Sequence, residues 1–527
     1  MANKYLSASL GTRQWADTTG TWVTSNGGTT PTTPPAGSDT AFLTSLSGAV
    51  TVNTAGCITA IINCTGYTNT LTINSSCKLL CYASIIFPAT MTLVNNGNLT
   101  WGDGASVGDI NSAIDIPGNF TFGGSGNSTR TISANLTLLG AVTMTGQQKV
   151  NGAFNIYIKN GFEGNGNIFD GTCSIYLQGG QLGARFANSN VYLDGTLTTR
   201  AQASATFGYF GFGWVSACTV TWLSGTLTNT NTFTVFSGLT SFNIGSNVVF
   251  YRVKFNENTA YTYTLLADLY VTDILTEYLS ANIAITIDGA FNIKVAGNLR
   301  SYTASTYYST YFKGTATFEM VGTGTLGLAQ NYAGSGSVKA ITYVENNIII
   351  NTAGTITFGN IGISGSNTLT YTAGTIAGTG EIYIVGTASL TGTVTYPNVT
   401  IGFLNKGESS YFTGPFVLNV LTDMTFTNLY INYNSTMNIT DTKTLTIPTT
   451  FHSRGNYLAN NVIASSGTGT ITFNGAKGSL DLVKTDFTNI SATNRLITYG
   501  GTITTSTLVN SVDVTDLSSP RNTVLVV

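Results

Sequence analysis

The residues with the best claim to chemistry are three aspartates set six apart, Asp103, Asp109 and Asp115, within Trp101-Gly102-Asp103-Gly104 through Ile114-Asp115-Ile116. Two carboxylates flanking a glycosidic bond can act as acid and as nucleophile or base, so this is a weak candidate centre for a glycoside hydrolase or lyase. The competing reading has Asp in Gly-Asp-Gly closing a turn on its own backbone, and the local glycines favour it. Asp273, Glu277 and Asp288 form a second acidic stretch, read the same way. The single histidine, His452, leaves almost no capacity for imidazole catalysis or for a multi-histidine metal site.

Two aromatic clusters are candidates for binding. One is Phe207-Gly208-Tyr209-Phe210-Gly211-Phe212-Gly213-Trp214, from which Tyr209, Phe210, Phe212 and Trp214 are taken; the other supplies Tyr307 and Tyr308. Exposed rings give large contact area at small entropic cost and recur at interfaces. Packing within the core, or against a neighbouring subunit, is the alternative use.

Six cysteines occur, four of them (Cys57, Cys64, Cys77, Cys81) close together, without a C-x2-C pair or a nearby histidine. Zinc is therefore not expected, and buried free thiols are. Cys57 and Cys77 are spaced so that they would stack if the chain repeats every 20 residues. No phosphate loop, nucleophile elbow, zinc-protease motif or dinucleotide fingerprint is present, and no metal or cofactor is expected.

The elements that must carry these residues are strands. Apolar and polar residues alternate in short runs such as Ile156-Tyr157-Ile158, Ile285-Thr286-Ile287 and Ile382-Tyr383-Ile384, broken by Gly, Asn or Asp. Self-similarity recurs near 20 residues: Gly97-Asn98-Leu99-Thr100-Trp101 returns as Gly118-Asn119-Phe120-Thr121-Phe122, and Thr352-Ala353-Gly354-Thr355-Ile356 as Thr372-Ala373-Gly374-Thr375-Ile376. Gly152-Ala153-Phe154-Asn155-Ile156 reappears unchanged at 289–293. A repeat of that length without helices suits one coil of a parallel β-solenoid, each coil bonding to the next at ~4.8 Å.

The fold expected is all-β, a right-handed parallel β-helix. Residues 1–45, with Trp15, Trp22 and a Pro-rich stretch, form an N-terminal cap or attachment region. Residues 46–510 form the coiled body, a rod of roughly 100 Å or more, and 511–527 a tail or cap. Residues 201–222, rich in Gly and aromatics, interrupt the pattern, as do 403–412 and 452–460, which read as excursions.

Composition narrows the role. Of 527 residues only 8 % are charged, against about 25 % in ordinary soluble domains, while 42 % are hydrophobic. With 21 Lys and Arg against 23 Asp and Glu there is no basic stripe, and nucleic acid is not an expected partner. No apolar run approaches a membrane span, and Met1 to Tyr5 lack the core of a signal peptide.

The opening pattern, Trp15 and Trp22 followed by Pro34-Pro35-Ala36-Gly37-Ser38-Asp39-Thr40-Ala41-Phe42 and Val50-Thr51-Val52, resembles the first module of repetitive β-helix surface proteins. These occur in bacterial adhesins and in bacteriophage tail fibres, tailspikes and head appendages. Gly386-Thr387-Ala388-Ser389-Leu390-Thr391-Gly392-Thr393-Val394 has the same texture. The resemblance implies a structural or adhesive virion protein that presents a host- or partner-binding surface. It would be made in the host cytoplasm and assembled with other virion proteins, as a homo-oligomer such as a homotrimer, facing a host glycan or receptor. A depolymerase tailspike and a cellular adhesin are the alternatives. It implies no catalytic residues.

Overall fold

The computed structural model describes residues 2–8, 11–102, 108–124, 129–199, 210–212, 218–228, 233–236, 240–255, 261–277, 283–302, 310–327, 342–402, 415–432, 434–455, 460–476, 479–492, 503–504 and 507–508. Among them there is no α-helix; short strands joined by bends and turns make up the chain, and their pairing is mostly parallel. The chain divides into two compact units, Met1–Arg252 and Val253–Val527.

In the first unit the strands stack as coils. Leu79 pairs with Leu99, Leu99 with Phe120, Phe120 with Val142, Val142 with Phe162 and Phe162 with Leu182, all in parallel register. Every one of these side chains is buried. A second column runs Leu136, Ile156, Ile175, Val191, Val220 and Phe242. The physical cause is period-two alternation: once register is fixed, alternate residues share an inward face, and neighbouring coils align their apolar residues into ladders. Each buried aliphatic or phenyl group contributes about 1.5–3 kcal/mol.

The unit begins differently. Asn3–Leu6 pairs antiparallel with Trp22–Val23, which pairs antiparallel with Pro31–Thr32, while its other side joins Thr40–Phe42 in parallel. Trp15 and Trp22 are both buried and meet edge to face, ring centres 4.9 Å apart. The indole N–H of Trp22 donates to the Trp15 carbonyl at 2.8 Å, so the polar end of a buried ring is satisfied.

In the second unit one column runs through eight strands: Leu269, Ile293, Phe318, Ile348, Leu369, Leu390, Val420 and Ile439. All are buried. Asparagines clamp one bend of the stack. Asn346 donates its amide to the Ala316 carbonyl at 2.8 Å, and Asn367 donates to the Val344 and Asn346 carbonyls at 2.9 and 3.1 Å. Both residues are buried, and the bonds satisfy their amides while tying neighbouring coils together at the bend.

Two expectations change. The coil is not a fixed 18 to 21 residues: Ile382 pairs with Val399, but Leu390 pairs with Val420. The excursion expected at 452–460 does not include its first residues. His452 and Ser453 lie in the strand Thr450–Arg454, Ser453 is fully buried, and 456–459 fall outside the described residues.

Candidate functional site

Asp103 lies outside the described residues. Asp109 sits half-buried in the strand Gly108–Ser112. Its carboxylate accepts from Ser133 Oγ at 2.6 Å on one oxygen and 2.7 Å on the other, and its own N–H donates to Ser84 Oγ at 3.2 Å. Asp115 is exposed in the bend beyond that strand. What the fold brings to Asp109 is therefore a serine from the next coil, a clip between coils.

The other acids follow the same rule. Asp273 Oδ1 accepts both the backbone N–H and the side-chain amide of Asn298, each at 2.8 Å. Asp288 accepts the N–H of Thr315 at 3.1 Å, and Asp423 that of Thr444 at 2.8 Å. Each carboxylate takes up an N–H of the following coil, where a bend leaves it without a ladder partner. The side chain of Glu277 is outside the described residues.

Of the aromatic candidates, Tyr209, Trp214, Tyr307 and Tyr308 lie outside the described residues, and Phe210 is described only as part of the strand Phe210–Phe212. Phe212 corrects the surface expectation: it is fully buried, its ring 6.3 Å from that of Phe186 on the paired strand. Alternation turns it inward, where it extends a phenyl column through Phe186 to Phe162 and Phe169.

None of the six cysteines is in a disulfide: Cys77 is half-buried and the other five are buried. Cys57 pairs with Leu79, and Thr59 with Cys81, so Cys57 and Cys77 do not share a rung. Burial pushes the Cys64, Cys81 and Cys173 thiols up, the last two to about 12. Among the described residues, no group of three His, Cys, Asp or Glu side chains is placed to hold a metal ion.

The candidate site built by the stack is one that the clusters did not indicate. Tyr157, Tyr176 and Tyr192 are register partners on three consecutive coils. Their rings stack with centres 4.8 and 4.5 Å apart and planes 26° and 13° from parallel. They lie outward and half-buried, between inward residues that are fully buried. Asn155 donates its amide to the Tyr157 hydroxyl at 2.9 Å.

Two positions along each strand lies a polar column. Asp194 accepts from Gln178 Nε2 at 2.8 Å and from Ser224 Oγ at 2.7 Å, and these bonds hold its carboxyl below the usual range. Lys159 adds a positive charge nearby. Burial, and then the neighbouring Tyr192, push the Tyr176 phenol up. Stacked faces cover one another, so the strip offers ring edges and hydroxyls beside an amide, a carboxylate and an ammonium. That is contact chemistry, with both apolar grip and directional hydrogen bonds. The recurring Asn155-Ile156-Tyr157-Ile158, Ser174-Ile175-Tyr176-Leu177 and Asn190-Val191-Tyr192-Leu193 is the signal that could have found it.

The second unit carries a longer register column that alternates with its apolar ladder: Tyr311, Tyr343, Gly362, Tyr383, Thr400, Tyr430, His452 and Asp481, of which Tyr343, Gly362, Tyr383 and Thr400 are buried. Tyr311 and Tyr343 stack at 4.8 Å and 8°, and Tyr430 meets His452 edge to face at 5.5 Å. Asp481 is bridged by Arg454. Tyr383 donates to Glu381 Oε2 at 2.5 Å, and Thr400 donates to Oε1 of the same carboxylate. Comparison of the chain with protein-family models, with curated proteins and with solved structures returns no match. The residues and their stacking carry the functional reading.

Proposed function

We propose that the chain is a structural and adhesive protein of a virus particle, of the bacteriophage tail-fibre, tailspike or head-appendage kind, built as a right-handed parallel β-helix. Its task is to hold a binding surface on a stiff body, alongside other virion proteins. The observation that carries this reading is the outward tyrosine column Tyr157–Tyr176–Tyr192, mounted on coils whose inward faces are continuous apolar ladders. A stack bonded coil to coil deforms little, so a strip on its flank keeps its shape until it meets a partner. Low charge and a surface of Thr, Ser and Asn fit contact with other proteins or with neutral glycans better than contact with polyanions. The right hand is the one that parallel crossover connections overwhelmingly take.

The test is the protein content of purified particles. Peptides of the chain should appear in stoichiometric amounts after density-gradient purification, and an antibody against it should decorate a projecting structure by electron microscopy. Its absence from particles, with recovery only in the soluble lysate, overturns the proposal.

A further inference from the structure

Outward hydroxyls of the second unit form a grid. Thr395, Thr425, Thr446 and Thr472 are register partners on the strands Thr395–Ile401, Met424–Ile431, Thr444–Ile447 and Asn461–Phe473. A second column lies two residues earlier along the last two of these strands. There Thr444 pairs with Thr470, and Thr470 with Ser491 of the strand Thr485–Ala492. Thr395 is exposed and the other six residues are half-buried. Parallel pairing sets the rows about 4.8 Å apart across the strands, and two residues along a strand set the columns about 6.6 Å apart.

The grid is held from behind. The residues that alternate with it point inward, Tyr396, Phe426, Ile447 and Phe473 on one side and Leu445, Ile471 and Ala492 on the other, and all are buried. Backbone bonds fix the register: the Thr425 N–H donates to the Val394 carbonyl at 3.0 Å, and that of Thr470 to the Lys443 carbonyl at 2.8 Å. Threonine branches at Cβ and is stiff about χ1. Each hydroxyl and its methyl group are therefore aimed before any ligand arrives.

The grid positions carry no charge and no aromatic ring. Asp423, just ahead of the strand Met424–Ile431, has its carboxylate taken up by the Thr444 N–H at 2.8 Å. One outward threonine on a strand is ordinary, since threonine favours pleated backbone. Two columns in shared register, repeating on two axes, are a pattern that a ligand can read.

We infer that this face binds the surface of crystalline water. A polyanion would call for lysine and arginine, and a sugar ring for an exposed aromatic face, neither of which the grid supplies. The folded surface of another protein has no reason to repeat in both directions at this scale. Ice does repeat in both directions, at spacings close to those of the grid. Hydroxyls can enter its hydrogen-bond network as bridging water does, while the methyl groups between them shed their liquid hydration. The ligand is neutral, so the interaction should be insensitive to salt. The inference stands whether or not the chain belongs to a virus particle.

Growth of ice crystals in a frozen film of the full chain, held just below melting, tests it. The wild type should arrest the coarsening of crystals at concentrations where an inert protein does not. Thr425→Tyr and Thr446→Tyr place a bulky group in the middle of the face while keeping a residue that strands favour, and the double variant should lose the inhibition with an unchanged circular dichroism spectrum. Thr436→Tyr, at a half-buried outward position of the strand Ser435–Ile439 outside the grid, should leave it intact. A wild type without inhibition, a double tyrosine variant that keeps it, or an equal loss with Thr436→Tyr overturns the inference. If the tyrosine variants misfold, Thr425→Ser with Thr446→Ser, which removes only two methyl groups from the face, should weaken the inhibition, and unchanged inhibition overturns the inference.

Discussion

The guanidinium of Arg130 lies 5.5 Å from the centre of the Trp101 ring, inside the coil, where neither side chain reaches water. Among the described residues its acceptors are neutral: the Gly123 carbonyl at 2.6 Å, the Gln148 amide oxygen and the indole face. Gln148 is anchored in turn by its amide, which donates to the Thr145 carbonyl at 3.0 Å and the Gly124 carbonyl at 3.2 Å. Burial lowers the pKa of this arginine. A cation with neutral neighbours keeps much of its desolvation cost, so its stabilising share is volume and hydrogen bonding. Arg130→Met is expected to stay within about 2 kcal/mol of the parent, because it fills the space and removes the charge while leaving two acceptors unpaired. Arg130→Ala opens a cavity as well and should cost about 3–5 kcal/mol. Calorimetric melting of the two variants checks this, and equal losses would refute the volume argument.

Gly362 makes room for the Tyr343 ring. A Cβ added there would lie 2.2 Å from Tyr343 Cδ1, and no positive φ is involved, so the conflict is purely one of space. Gly362→Ala should destabilise by about 1–3 kcal/mol through overpacking. Tyr343→Ala in the same chain should recover part of that loss, a non-additivity that a double-mutant cycle in thermal unfolding measures.

Within the tyrosine strip, Tyr176 stacks on two rings and Tyr157 on one. At about 0.5–1.5 kcal/mol for each aromatic pair, Tyr176→Ala should cost about twice what Tyr157→Ala costs. Comparative melts decide it, and equal costs would show that the rings act singly.

Alkali should unfold the protein through its thiols. Cys81 and Cys173 have folded pKa values raised from 9.0 to about 12 by burial. Above pH 9 the unfolded chain releases these protons while the folded chain keeps them. Stability is therefore undiminished below pH 9 and falls as pH rises from 9 to about 12. Melting temperature against pH shows the fall, and replacing both residues by Ala should make that part of the curve shallower, with Cys64 still contributing.

The stacking was legible because some repeats in the sequence are real rungs. Asn98-Leu99-Thr100-Trp101 pairs residue for residue with Asn119-Phe120-Thr121-Phe122, and Thr355-Ile356 with Thr375-Ile376. Cys57 and Cys77 misled because their coil is two residues longer than their spacing; Cys57 meets Leu79. A fixed period also hides the tyrosine strip, since Tyr157, Tyr176 and Tyr192 are unevenly spaced although they are direct neighbours. The aspartates were ambiguous for a chemical reason. A carboxylate that accepts an N–H from the next coil, as Asp273 does, has the same local sequence as one that would serve catalysis.

Coils of unequal length keep one ladder. Leu369 is followed by Leu390 and then by Val420 in the same inward column, and the surplus between the last two leaves the interior rung undisturbed. The entropic cost of closing a loop grows only slowly with its length, on the order of 0.6 kcal/mol per doubling. Coil length can therefore vary with little penalty to the interior. The ornament on such a chain is free to diversify while its spine stays put.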